Sequence, residues 1–257
     1  MPVIKGSMKK IYKIQSMRHL QNKLACIFLL ANLIFPLLCN SQIKGGKQNP
    51  YLLDITQTIQ AYKEQVLSNP QMRMVDLAKT IPRIRIDIRY ATKNNFTREV
   101  IYTEPKAFLR KPVAEALKKV QDSLAFYKIG LKVFDAYRPY AATLRFYEVY
   151  PDTNFVANPR KGSRHNRGCA IDLTLIELAT GKELPMPTPF DDFSPKANPE
   201  YTELPEPVLT NRKFLFELMA HFGFKPISTE WWHFDYSGWA DYKLMDLSFK
   251  ELEEAEK

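Results

Sequence analysis

The spacing of apolar and polar residues along this chain changes period several times, and each change marks an element. From Leu53 to Leu67 the pattern is helical and stops at Asn69-Pro70. Arg83 to Tyr90 reads Arg-Ile-Arg-Ile-Asp-Ile-Arg-Tyr, a period-two alternation that predicts a strand with one buried face. Pro112 suits the first turn of a helix, and Val113, Ala116, Leu117, Val120 and Leu124 follow at helical spacing as a core stripe. A short buried strand is predicted over Gly130 to Tyr137, and Arg138-Pro139 opens a helical stretch through Tyr147. Irregular backbone rich in Pro, Asn and Gly then leads to Cys169. Ala170 to Leu175 reads as a strand turning at Thr180-Gly181, and Lys182 to Pro207 is Pro-rich loop. Asn211 to Phe222 is helical with Gly223 as its cap, Phe224 to Tyr236 forms a last strand, and Lys250 to Lys257 is a solvated helix end. Strands and helices interleave without a regular βαβ repeat, which predicts an α+β fold: one domain with a small antiparallel central sheet flanked by helices.

At 257 residues, 45% hydrophobic and 25% charged, the chain is long enough for one well-packed core. Its net charge of +9 is concentrated at one end. The first 41 residues hold Lys5, Lys9, Lys10, Lys13, Arg18 and Lys23 and no acid, leaving 31 basic against 28 acidic residues beyond them. That near-balance argues against a nucleic-acid partner. The basic stretch runs into an apolar segment from Leu24 to Leu38 and then Cys39-Asn40-Ser41, small residues where a signal peptidase cuts. Residues 1–41 are therefore expected to be a signal peptide, with Met8 and Met17 as further candidate starts and a periplasmic location for the exported chain. The apolar segment is shorter than the roughly 20 residues a spanning helix needs and contains Pro36, so no stable membrane insertion is expected after cleavage; the alternative is an uncleaved leader that anchors the chain. Cys26 and Cys39 lie in the leader, which leaves Cys169 without a partner for an intrachain disulfide.

Three histidines lie beyond the leader, and two stand in polar, motif-like surroundings. One segment reads Gly162-Ser163-Arg164-His165-Asn166-Arg167-Gly168-Cys169-Ala170-Ile171-Asp172, the other Glu230-Trp231-Trp232-His233. A catalytic zinc takes three nitrogen or oxygen ligands and keeps a fourth position open, and His165, Asp172 and His233 supply that set for one Zn2+ per chain. Gly168 allows the sharp turn that loop histidine and strand carboxylate need in order to converge. Glu230 lies three positions before His233, so on an ideal strand the two would face opposite ways, and the segment must bend or end near the site. His221, at a helix end, reads as a helix C-terminal cation, and Cys169 as a small buried residue. Of Trp231 and Trp232, one is expected in the core and the other against the pocket.

The Ser-x-His-x6-Asp and Glu-x-x-His segments resemble those of the D-Ala-D-Ala metallopeptidases and their Hedgehog-like relatives. Tyr90-Ala91-Thr92-Lys93-Asn94-Asn95-Phe96, Asp135-Ala136-Tyr137-Arg138-Pro139 and Pro189-Phe190-Asp191-Asp192-Phe193 narrow the resemblance to the D-alanyl-D-alanine dipeptidase family, over about Ile84 to Tyr236. The resemblance implies a Hedgehog/DD-peptidase-like fold, zinc on His165, Asp172 and His233, Glu230 as catalytic base, and Arg138 stabilising the tetrahedral intermediate. Ser163, Asp191, Tyr90, Tyr102 and Asp135 are implied at the dipeptide, with Asp192 as an alternative to Asp191 and Asp135 also able to orient Arg138. The chain then divides into a signal peptide (1–41), an N-terminal helical lead-in (42–81) and a zinc D,D-dipeptidase domain (82–257) acting in cell-wall peptide turnover. Two other readings stand beside this one: a D,D- or L,D-carboxypeptidase trimming peptidoglycan stem peptides, and a non-catalytic zinc-binding module. Oligomeric state is left open.

Overall fold

A computed structural model describes residues 48–256. The expected leader, with Cys26 and Cys39, lies outside them. At the centre is β6 (Ala170–Glu177), whose first seven residues are all buried. Such a strand reads as a continuous apolar run, with both faces covered, and its polar members Asp172 and Thr174 are the exceptions that call for an explanation. On one side it pairs antiparallel with β5 (Ile129–Asp135), on the other with β8 (His233–Tyr236). β3 (Arg85–Ile86) lies parallel to β5 at one edge, and β7 (Phe224–Pro226) lies antiparallel to β8 at the other. The sheet is therefore antiparallel except at β3, as the α+β reading requires.

Helix α3 (Lys111–Phe126) buries Val113, Leu117, Val120 and Leu124 against the core, packing beside β4 (Phe108–Arg110) and β5. Pro112 occupies its first turn, where a missing N–H costs nothing. Helix α4 (Tyr140–Val149) follows β5, and helix α5 (Glu206–His221) precedes β7, with Gly223 at φ 88° in the connection. The C-terminal helix α6 (Phe249–Ala255) starts with a reciprocal Ser248–Glu251 capping box and buries Phe249 and Leu252, so it is docked where a solvated end was expected.

The N-terminal stretch joins the same core. Helix α1 (Ile59–Ser68) buries Tyr62 and begins only at the Thr58 cap, because Ile55–Thr56 (β1) is drawn into a parallel pair with Leu244–Met245 (β9). Met74–Asp76 (β2) pairs antiparallel with β4, and α2 (Leu77–Thr80) buries Leu77.

Two predicted strands are corrected. Over Arg83–Tyr90 the alternation of burial holds, with Ile88 and Tyr90 buried, but only Arg85–Ile86 pairs in the sheet. Beyond the Asp87 N–H bond to the Val133 carbonyl the backbone coils into a 3-10 turn (Arg89–Ala91) whose Tyr90 carbonyl accepts from both Ile101 and Tyr102. Phe224–Tyr236 is two strands separated by a turn at 227–232, the interruption that the Glu230–His233 spacing demands.

Candidate active site

Neighbouring strands set Asp172 directly opposite His233 in the β6–β8 register. His165 opens a 3-10 turn (His165–Arg167) that ends at Gly168 with φ 69°, the left-handed region where glycine is free. A Cβ there would approach the Met74 Cε to 2.7 Å and the Arg110 backbone nitrogen to 3.3 Å, so a side chain would have to displace the Met74 tip as well as hold the left-handed backbone. Buried Asn166 locks it: Oδ1 accepts from the Ser163 N–H (2.7 Å), and Nδ2 donates to the Arg138 carbonyl (2.9 Å) and to Thr143 Oγ1 (2.9 Å).

The hydrogen bonds also fix the imidazoles. His165 Nδ1 lies 2.6 Å from the Ala136 carbonyl, which only accepts, so Nδ1 carries the proton and Nε2 presents a lone pair. His233 Nε2 faces Asp235 Oδ1 at 2.9 Å, which leaves Nδ1 free. The two free nitrogens stand 3.1 Å apart, with Asp172 Oδ1 at 3.4 Å from His165 Nε2 and 3.0 Å from His233 Nδ1. Asp172 Oδ1 is buried and accepts no hydrogen bond of normal geometry. Three groups able to offer lone pairs thus converge, and the Asp172 and Asp235 carboxylates raise the His233 pKa to about 10 against its burial, so the site draws positive charge, an arrangement that suits a metal ion. Ligands at zinc-like bond lengths in a tetrahedron stand roughly 3.3 Å apart, close to these separations. All three ligand atoms lie within 4.8 Å of one another.

Glu230 sits on the turn before β8, its Oε2 3.9 Å from His233 Nδ1. The turn is anchored on both flanks: Trp231 N–H donates to the Ala197 carbonyl and its indole to Thr188, while the Trp232 carbonyl accepts from Leu173. Both tryptophans are buried, and only Trp232 reaches the cavity. Burial pushes the Glu230 carboxyl up to about 8, with Asp172 and Asp191 adding to the effect.

Arg138 enters from the segment after β5. Asp135 Oδ2 accepts from its Nε (3.0 Å) and Nη2 (2.8 Å), and the guanidinium lies over Phe146 and Tyr90. Burial favours losing the proton, but Asp135 overrides it and the pKa lies well above the ordinary arginine value. Arg138 Nη2 stands 3.9 Å from Asp172 Oδ2.

These groups face one cavity of about 590 Å³, whose far wall carries Tyr90, Phe96, Asp191 and Phe193. Asp191, at φ 61°, turns its carboxylate to accept from Tyr90 Oη (3.0 Å) and the Phe96 N–H (3.3 Å). Burial raises its pKa to about 7. Asp192 instead closes a local turn by accepting from the Ser194 N–H. Ser163 lines the cavity, and its Oγ accepts from the His165 N–H at 3.2 Å. Two expected pocket residues lie elsewhere. Tyr102 and Asp135 are buried behind Arg138, where Tyr102 Oη donates to Asp135 Oδ1 (2.9 Å) and so completes the support of the guanidinium. Neither lines the cavity; Arg138, bonded to Asp135, does. His221 is exposed on α5, and Cys169 is buried with its thiol pushed up to about 12 by burial; neither belongs to the group of converging ligand atoms.

Sequence reasoning missed Asp235, Asn166 and Trp239. The His233-x-Asp235 spacing did carry a signal, since residues two apart on a strand share a face. Asn166 and Trp239 had none.

The chain is also similar to known proteins. The family described as D-ala-D-ala dipeptidase matches residues 70–251. The D-alanyl-D-alanine dipeptidase of Escherichia coli (strain K12) is 35% identical over 176 residues, covering 68% of this chain and 91% of that protein. That of Enterococcus faecium is 31% identical over 178 residues, covering 62% and 88%. Among solved structures, a vancomycin-resistance D,D-dipeptidase in complex with a D-Ala-D-Ala phosphinate analogue aligns at 16% identity over 71% of this chain and 74% of that one. Its TM-score of 0.33 is too loose a superposition to bear on chemistry. With the family match spanning well over half its length, the chain belongs to the D-Ala-D-Ala dipeptidase family.

Proposed function

We propose that the chain is a zinc-dependent dipeptidase that hydrolyses D-alanyl-D-alanine-type dipeptides to free D-amino acids. The observation that carries this reading is the convergence of His165 Nε2, Asp172 Oδ1 and His233 Nδ1 in a cavity that Glu230 and Arg138 also face. Zinc on these three donors supplies Lewis acidity at the scissile carbonyl and makes water acidic enough to lose a proton near neutral pH. Glu230 accepts that proton and passes it to the leaving amine, a role suited to a carboxyl whose pKa lies near the working pH. Arg138, held rigidly by Asp135 and charged throughout, offsets the negative charge that grows on the carbonyl oxygen.

Asp191 receives the ammonium end of the dipeptide. Ser163, whose Oγ accepts from the chain but keeps its own proton, donates to the carboxylate end. Recognition of both ends within one cavity is what restricts the substrate to dipeptides. The leader pattern of residues 1–41 supports action outside the cytoplasm, in cell-wall peptide turnover; fractionation of cells expressing the full chain tests this part separately.

Metal analysis joined to a panel of L,L, L,D and D,D dipeptides and a stem pentapeptide tests the whole reading. One zinc per chain and selective cleavage of D-Ala-D-Ala are expected. Release of D-alanine from only the pentapeptide sinks the dipeptidase assignment.

A further inference from the structure

We infer that Asp235 is a positioning residue for the metal centre: it determines which nitrogen of His233 faces the cavity, and Arg164 braces it in that role. The inference rests on the metal reading given above. His233 and Asp235 stand two apart on β8 and so share a face, opposite Asp172 and Ala170 of β6. Asp235 is largely buried, and its two oxygens divide their work. Oδ1 lies 2.9 Å from His233 Nε2, while Oδ2 lies 3.5 Å from Arg164 Nε. The guanidinium of Arg164 rests over the Trp239 ring at 4.8 Å, which limits its freedom.

An ionised carboxylate only accepts, so it selects the tautomer of His233 that carries hydrogen on Nε2 and a lone pair on Nδ1. It also makes that lone pair more basic, hence a stronger donor to a cation. The other imidazole is treated differently. His165 Nδ1 has its short contact, 2.6 Å, with a neutral backbone carbonyl, and the carboxylate on that side, Asp135 Oδ2, stands off at 3.8 Å. The pair is thus asymmetric, and the charge-assisted partner serves the histidine that lies nearer both Asp172 Oδ1 and Glu230. Arg164 directly precedes His165, so the residue beside one ligand steadies the carboxylate behind the other. If Asp235 served only as the ion-pair partner of Arg164, its shorter contact would go to the arginine; it goes to the imidazole.

The test measures zinc affinity by chelator competition on metal-free full chain, for the wild type, Asp235→Asn, Asp235→Ala, Arg164→Ala and, as a control on the exposed face of α5, Lys213→Ala. Thermal unfolding of each metal-free variant reports on the fold, and nitrogen-15 NMR of the histidine rings reports the His233 tautomer. Asp235→Ala is expected to weaken zinc binding by about 10–100-fold, as loss of a hydrogen-bonding partner behind a ligand does elsewhere. Asp235→Asn should fall short of that loss, because its amide oxygen still accepts without charge, and Arg164→Ala less again. The His233 ring should hold hydrogen on Nε2 in the wild type and become a tautomer mixture in Asp235→Ala. Lys213→Ala should match the wild type throughout. If Asp235→Ala fails to fold, the isosteric Asn variant decides. Zinc affinity within threefold of wild type together with an unchanged tautomer overturns the role of Asp235, whereas a wild type that binds no zinc overturns the metal reading along with it.

Discussion

The two halves of the cavity are built by different means. On the metal side each group rides on a strand or a tight turn whose backbone is bonded into the sheet: Asp172 and His233 face each other in a ladder, and the His165 turn is tied by Asn166 to the segment bearing Arg138. The far side is assembled from three loops, around Tyr90–Phe96, Tyr150–Asn158 and Phe190–Ser194, each held by its own turn hydrogen bonds, such as those of Asn95 and Asp152, and joined to one another by ring contacts and the Asp191 bonds. Phe96, Tyr150, Phe155 and Phe193 form one aromatic cluster, with centroids 4.9–6.5 Å apart. Ligation and proton transfer need positions fixed to a fraction of an ångström, which backbone ladders provide. Recognition of a small peptide needs a wall that excludes the wrong shape, and packed side chains on loops suffice for that. Changes on the metal side should therefore strike kcat, and changes on the loop side KM and selectivity.

The sharpest break falls at Glu230. Glu230→Gln removes the proton acceptor and keeps the shape, so kcat should drop by about 10³-fold or more while zinc content stays at wild-type level. Metal analysis beside steady-state kinetics checks both; a variant that retains activity defeats the assigned role. Arg138→Lys comes next. It keeps the charge but loses the fork held by Asp135, and a loss on the order of 10²-fold in kcat with little change in KM is expected.

Across the cavity, Asp191→Asn should raise KM by about 10-fold or more for a dipeptide with a free amine, through loss of a charge-assisted contact. An N-acetylated dipeptide serves as the comparison and should lose far less. The wild type should show the same dependence through pH. Burial lifts Asp191 to about 7, with Asp172 raising it further and Tyr90, the Phe96 N–H and Arg138 opposing, while Glu230 faces it across the cavity. Below that value the carboxyl is neutral and cannot pair with an ammonium, so KM should climb as pH falls through about 7. In Asp191→Asn that limb of the KM profile should vanish.

The contrast between the halves also explains what could be read from the chain. The metal side was legible because its parts are local: His165 and Asp172 are separated by six residues, Glu230 and His233 by two, and the Glu230 spacing forced the break that separates β7 from β8. Helix α3 was legible from Pro112 and its apolar stripe. The β1–β9 and β2–β4 pairs were not, since strands of two or three residues carry no period. Tyr102 was assigned to the substrate wall by resemblance; its hydrogen-bond partner, Asp135, lies 33 positions away, and nothing local signals that bond. The aromatic cluster draws on residues from 96 to 193, and Phe193 was quoted only as part of a motif, without its neighbours.

Phe193 gives the smallest effect and the finest test of the comparison. Its ring stacks on Phe155 at 4.9 Å and meets Phe96 and Tyr150 at 5.4 Å each, two residues beyond Asp191, so it forms the wall next to the carboxylate we propose for the amine. Phe193→Ala removes a half-buried ring from a loop cluster and should cost about 1–2 kcal/mol, below the range for a fully buried phenylalanine. With the wall opened, KM for D-Ala-D-Ala should rise by roughly 3–10-fold, the loss of one apolar contact of about 1 kcal/mol, while kcat stays within about threefold. Peptides extended by one residue at the amino end should become better substrates. Parallel kinetics on the dipeptide and a tripeptide ending in D-Ala-D-Ala measure both effects. If Phe193→Ala instead depresses kcat as deeply as Glu230→Gln while zinc remains bound, the loop side is mechanically joined to the chemistry, and the division of labour between the two walls does not hold.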